Sequence, residues 1–143
     1  MSDEFKENSQ AVQIHLSIIQ SIIQRMALNS SSCKTWCITI VSAVLVVVAD
    51  KGKPNYTFIA LIPILLFFAL DAYYLALEKL FRNSYNDFVE KLHRSTLSIC
   101  DFFVVNPMGN FARTMFASLL SFATWPFYFV LLLMVLVARC LLT

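Results

Sequence analysis

The chain has 143 residues, 59% hydrophobic and 14% charged, with two glycines, four cysteines and a formal net charge of +2. A soluble domain of this length carries about a quarter charged residues, and phosphate loops and dinucleotide fingerprints both need clustered glycines, so those soluble classes are excluded. A mean hydropathy of +0.70 and long charge-free runs point to an integral membrane protein.

The first ten residues, "MSDEFKENSQ", are polar and are expected to fray. They lack the basic, apolar, small-residue succession of a cleaved signal peptide. Residues 11–32 read as an amphipathic helix: Val12, Leu16, Ile19, Ile22 or Ile23, and Met26 recur at helical spacing, with Gln13, Gln20, Gln24 and Arg25 on much of the remainder. The helix either continues into the first apolar stretch or bends at "NSSS", where short polar side chains compete for backbone partners. It can lie on the inner leaflet or pack against copies of itself. Surface-bound helices display many basic residues; this one has Arg25 alone, which favours protein contact.

Three apolar stretches follow, predicted as spans over 35–49, 56–77 and 114–138. Trp36 and Tyr56 suit aromatic belts at opposite faces, and kinks are expected at Pro63 and Pro126. Between the second and third spans, 78–113 is the one sizeable polar segment, expected to continue the second helix into the cytoplasm. Within it "STLSICDFFVV" suits a short helix or a strand, and "NPMGN" a turn. With the N-terminus inside, eight basic residues fall in the cytoplasm and three outside, the favoured bias. The expected fold is therefore a single all-α membrane domain: three transmembrane helices, an N-terminal amphipathic helix and a helical cytoplasmic projection, N-in and C-out.

Asp71 lies inside the apolar boundary of the second span. Glu78 and Arg82 follow at intervals of seven and four, bringing all three near one line, with Tyr74 beside it. A carboxylate facing lipid is costly, so Asp71 must meet water, another helix or the headgroups. Asp71, Tyr74, Glu78 and Arg82, with Ser118 and Ser121 on the third span, are candidates for a pore and its gate once several chains assemble. Against this stands an interfacial aspartate satisfied by a tyrosine hydroxyl or a neighbouring backbone group, and a third alternative is proton-coupled transport. The hydroxyls Thr35, Thr39 and Ser42, and Thr114, Ser118, Ser121 and Thr124, can line water, but such positions more often let helices pack.

Lys79, Arg82, Lys91, Arg94 and Arg113, near Tyr85, Phe102 and Phe103, could hold a phosphate-bearing ligand, although the inside bias of basic residues explains them more simply. His15 and His93 stand alone, as structural or solvated histidines do. Cys33 and Cys37 are one turn apart without further ligands nearby, so reduced thiols rather than a metal site are expected. No Ser/His/Asp, Cys/His or paired-carboxylate arrangement stands out, and neither an enzyme nor a cofactor is expected.

Two stretches, "HLSIIQSIIQRMALNSSSCKTW" (15–36) and "IPILLFFALDAYYLALEKLFRNSY" (62–85), resemble small bacterial anti-phage membrane proteins, the Hailong-type effectors encoded beside nucleotidyltransferases. His15, Gln20, Arg25, Met26, Asn29, Ser30, Asp71, Tyr74, Glu78 and Arg82 carry the likeness, over about a third of the chain. The resemblance implies a toxic inner-membrane channel, silenced or triggered by an oligonucleotide from the partner nucleotidyltransferase. Three spans cannot enclose a conduit alone, so the channel needs a homo-oligomer, a tetramer or similar ring, with His15, Gln20, Arg25 and Asn29 as assembly candidates. The competing expectations are a non-conducting anchor that recruits a cytoplasmic partner, a small proton-coupled exporter and a holin-like lysis protein.

Overall fold

The computed structural model describes residues 9–142; the polar start expected over residues 1–10 falls almost wholly outside them. Helix α1, Gln10–Lys51, is continuous over 42 residues, about 63 Å at 1.5 Å per residue. Ser9 begins it with extended backbone, its hydroxyl accepting the Val12 N–H at 3.4 Å. Gly52, at φ 59°, ends it and donates its N–H to the Ala49 carbonyl, a left-handed cap that glycine adopts without strain. The helix runs through "NSSS" without a break, and among the described residues no hydroxyl of that run bonds to the helix backbone. Ser30 donates to Asp71, and Thr35 donates back to the Ser31 carbonyl at 3.3 Å.

A 3-10 segment, Pro54–Ala60, turns the chain into α2, Leu61–His93, of 33 residues. The helix ends with Ser95 at φ 55°. There the Thr96 N–H reaches the Lys91 carbonyl at 3.0 Å and the Ser95 N–H reaches Leu92 at 3.1 Å, the paired bonds of a Schellman motif built on serine instead of glycine. The two long helices run antiparallel, joined at successive levels by Cys37 with Pro63, Ser30 with Asp71, and Gln20 with Tyr85. Ala72 and Ala76, fully buried, let the backbones approach closely, the means by which helices associate where lipid offers no hydrophobic driving force.

Beyond α2, Ile99–Asp101 forms one 3-10 turn, so "STLSICDFFVV" becomes neither a full helix nor a strand. Residues 106–109 lie along α2: Ser84 Oγ donates to the Asn106 carbonyl at 2.5 Å, and the Met108 N–H donates to the Leu80 carbonyl at 3.2 Å. Helix α3, Phe111–Leu119, and helix α4, Trp125–Leu142, follow. The expected single span over 114–138 is therefore two helices. The Trp125 and Thr124 N–H groups both reach the Ser121 carbonyl, at 2.9 and 3.0 Å, closing a turn between them. Neither proline marks a kink within a helix. Pro126 is the second residue of α4 and Pro63 the third of α2, where a missing N–H removes no intrahelical bond.

Two cores sit at opposite ends of the α1–α2 pair. Cys37, Val41, Ala60, Ile64, Tyr128, Leu131 and Val135 join α1, α2 and α4. Val12, Phe88 and Phe102, with Leu16, Leu92 and Leu97 around them, join the other end. Outside these cores the helices show lipid-like side chains to their surroundings: Val46, Ile62 and Leu65 are among many exposed large apolar residues, far beyond what a soluble monomer leaves uncovered. Two helical segments, Gln10–Lys51 and Pro54–His93, are long and apolar enough to cross a membrane. At 18 residues, α4 stands near the lower limit of about 17–25 for a spanning helix.

Candidate functional site: a buried acid between the long helices

Asp71 is sealed inside the protomer, at 0% exposure. Its burial follows from position: α2 turns residues 64, 71, 72, 76 and 80 toward its neighbours, so the acid shares the face that packs against α1. There the Ser30 hydroxyl donates to Asp71 Oδ1, and Lys34 Nζ stands 2.6 Å from Oδ2. Lys34 also donates to Ser30 Oγ at 3.4 Å, so serine, lysine and aspartate close a ring of contacts. Serine and lysine are four residues apart and therefore share one side of α1. Lys34 remains 24% exposed, its ammonium turned toward the carboxylate.

A carboxylate in an apolar layer is tolerated when paired and hydrogen-bonded. The Lys34–Asp71 pair cancels both charges, and the serine hydroxyl occupies the second carboxylate oxygen. Nearby, Tyr128 of α4 donates to the Phe67 carbonyl at 3.0 Å, filling that acceptor one turn before Asp71. Polar bonds thus fasten α1 to α2 and α4 to α2 at neighbouring levels.

The remaining candidates are distributed as follows. Glu78 and Arg82 form an i,i+4 pair at 2.8 Å, and Tyr74 is half-buried against Tyr73, ring centroids 5.5 Å apart. Ser118 is buried and accepts from Lys79 Nζ at 3.2 Å, while Ser121 closes the α3–α4 turn. The basic residues are engaged one by one rather than gathered: Lys91 with Asp87 at 3.0 Å and Asp101 at 3.2 Å, and Arg94 with Glu90 at 2.5 Å. Arg113 is exposed on α3, with no side-chain partner among the described residues. Lys91 lines a cleft of ≈ 170 Å³ beside His15, Asp87 and Asp101. Arg82 lines a separate, open groove with Gln20, Ile23, Tyr85 and Asn86.

Of the assembly candidates, Gln20 donates to the Tyr85 hydroxyl at 3.4 Å. Arg25 is exposed and Asn29 half-buried on α1. His15 is not on the surface: it is 1% exposed, tilted against Phe88 with ring centroids 4.3 Å apart and edge-on to Phe102. Its Nδ1 accepts the Phe103 N–H at 3.0 Å, so the imidazole is neutral with its proton on Nε2. Burial pushes its pKa below 6.5, while the Asp101 charge pulls the other way. Asp101 is itself held below the usual carboxylate range, chiefly by the Ser98 N–H and also by the Ser98 hydroxyl and Lys91.

Sequence reasoning missed the role of Lys34, which reads as a residue reaching for the interface, and placed Ser30 only through the resemblance. The available signal was a lysine and an acid each just inside the same boundary of adjacent antiparallel segments. Among the described residues no cluster of three or more His, Cys, Asp or Glu side chains could hold a metal. The cysteines are free: Cys33 and Cys37 are buried, and Cys100 and Cys140 are exposed. No family model, curated protein or solved structure matches the chain.

Proposed function

We propose that the protein is a homo-oligomeric effector of the bacterial inner membrane, a ligand-controlled ion channel that depolarises the cell in anti-phage defence. The observation that supports this reading is the reach of α1 and α2. Each is long and apolar enough to cross a bilayer, and each continues without a break into a paired projection bearing His15, Phe88 and the 95–110 segment. A ligand held by that projection can act on the crossing segments through two continuous helices. Such a ligand favours the shut or open state only by binding one more tightly than the other. The resemblance to Hailong-type effectors supplies its class, an oligonucleotide from a partner nucleotidyltransferase. The reading places the N-terminus inside, the C-terminus outside, and α4 as a third crossing.

The burial of Asp71 alters the channel reading in one respect. With Lys34 and Ser30 closing over it, the carboxylate fastens α1 to α2 and does not face a conduit in this arrangement. The same closure favours a second reading, a non-conducting membrane anchor whose projection recruits a cytoplasmic partner. The two part cleanly in liposomes. Purified protein reconstituted in vesicles with a potassium gradient should collapse the potential reported by a voltage-sensitive dye. Vesicles that hold folded, inserted protein and keep their potential, with or without added oligonucleotide, leave the anchor.

A further inference from the structure

We infer that one face of α1 is the surface on which copies of this chain meet, α1 against α1, from the projection through the membrane layer. The inference rests on the membrane reading proposed above and names the surface by which that assembly forms.

The observation is a polar line on the wrong side of a membrane helix. At 3.6 residues per turn, Ser17, Gln24, Ser31, Thr35, Thr39 and Ser42 fall within roughly a quarter to a third of the circumference of α1, and all six are exposed. The buried residues of the helix, among them Val12, Ile19, Cys33, Cys37, Val41 and Val48, lie on the far side, toward α2 and α4. A helix that meets its own protomer on one face and lipid on the other places apolar residues on the lipid side. Here the apolar residues Trp36, Ile40 and Val47 are exposed on a flank, and the hydroxyls and amides share their own side with Leu28 and Val46. Lipid offers these groups no partner. Thr35 and Thr39 satisfy their hydroxyl protons on the Ser31 and Thr35 carbonyls, whereas Ser31 and Ser42 have no side-chain hydrogen bond among the described residues.

Length and charge choose the occupant. The line extends over 26 residues from Ser17 to Ser42, about 39 Å at 1.5 Å per residue, beginning in the projection and ending within the apolar layer. Only an element that likewise passes from water into lipid without interruption can cover it. Both α1 and α2 do, but the exposed side of α2 in its apolar stretch is Ile62, Leu65, Leu66 and Leu70, which offers the hydroxyls no partner, and a second α1 does. The line carries no charge, so identical copies meet without repulsion. Its amides and hydroxyls each both donate and accept, which makes the surface complementary to itself. Small hydroxyl residues are also what helices place where their backbones approach inside a membrane.

Cysteine cross-linking in native membranes tests this. In a Cys100→Ser/Cys140→Ser background, single substitutions Ser31→Cys, Thr35→Cys and Ser42→Cys are compared with Ile40→Cys and Val47→Cys after copper–phenanthroline oxidation. The stripe positions should give a disulfide-linked dimer at least fivefold more abundant than the flank positions. Equal yields on both faces, or monomer throughout, overturn the inference. Helix content by circular dichroism confirms that each variant is folded, and the several positions guard against one disruptive change. Flux measurements on the same proteins separate the two claims. Cross-linking without conduction removes the channel and keeps the interface, and conduction without stripe cross-links does the reverse.

Discussion

The Lys34–Asp71 contact can be weighed by magnitude. A hydrogen bond between membrane helices averages about 0.6 kcal/mol, so Ser30 alone adds little. Removing one member of a buried ion pair leaves the other charge stranded, at roughly 3–5 kcal/mol. Lys34 is 24% exposed, so it recovers part of its solvation, and about 2–3 kcal/mol is the better expectation. Asp71→Asn should therefore lower the melting temperature in detergent markedly. Lys34→Met should do the same, because it strands the more deeply buried partner. The double variant Asp71→Leu/Lys34→Met should regain most of the loss, since no charge is left unpaired. A double variant as unstable as the sum of the singles would show that the pair does not act as a unit.

His15 makes a second residue-scale prediction, with a definite sign. Its folded-state pKa is lowered from 6.5, so between the folded and unfolded values the unfolded chain binds more protons. The stability it gives is present in full above pH 6.5 and is lost as pH falls through the folded value, with a limiting slope of about 1.4 kcal/mol per pH unit. The groups facing it from the packed elements are Asp87 and Lys91 on α2 and Asp101 beyond it. The Lys91 ammonium is held above its usual range by its bonds to Asp87 and Asp101, and the Asp101 carboxyl below its own. Protonation also destroys the acceptor for the Phe103 N–H. The protection factor of the Phe103 amide, its rate relative to the free-peptide rate at the same pH, should therefore fall between pH 7.5 and 5.0, and His15→Phe should leave it low at both. Unchanged protection in the native chain at pH 5.0 would sink the assignment.

At the scale of elements, the third apolar stretch and the 95–110 segment show where sequence signals end. Hydropathy located α1, α2 and the apolar tail, and spacing located the Glu78–Arg82 pair. Hydropathy did not distinguish one long helix over 114–138 from two, because the stretch is apolar and uncharged from end to end. The choice rests on Ser121 supplying the carbonyl that closes the turn, and on Pro126 being at home in a first helical turn. Likewise Ser30 meets Asp71 across 41 residues, a relation set by how the helices lie and not by any nearby pattern. Gly109 was legible as a turn, yet its constraint is tertiary. It has φ 131°, and an added Cβ would stand 2.8 Å from Leu80 Cδ2. Gly109→Ala should cost about 1–3 kcal/mol, the usual range for backbone strain of this kind. The damage should appear as faster exchange at the Met108 amide, which bonds to the Leu80 carbonyl, while α4 stays protected. Uniform loss of protection along the whole chain would mean that the 106–109 segment is not a separable unit.

At the scale of the molecule, the two exposed thiols mark its two ends. Cys100 belongs to the 3-10 turn beside the cleft of the projection. Cys140 follows Arg139, whose guanidinium lies 4.3 Å over the Phe58 ring beside the α1–α2 connection. The apolar length of both long helices lies between these ends, so a bilayer must separate the two thiols if α4 crosses with them. The buried Cys33 and Cys37 give no background in the folded protein. A membrane-impermeant maleimide added to intact spheroplasts should label Cys140 and spare Cys100. After lysis both should label, and Cys140→Ser should abolish the first signal alone. Labelling of Cys100 from outside would invert the topology and put the projection beyond the reach of any cytoplasmic ligand. Equal protection of both thiols before lysis would place α4 back on the inner side, leaving two crossings. The inside placement proposed for this end agrees with the usual bias of basic residues: Lys79, Arg82 and Lys91 lie on the projecting half of α2 and Arg94 caps it, so moving that half outward would carry their charge across the membrane.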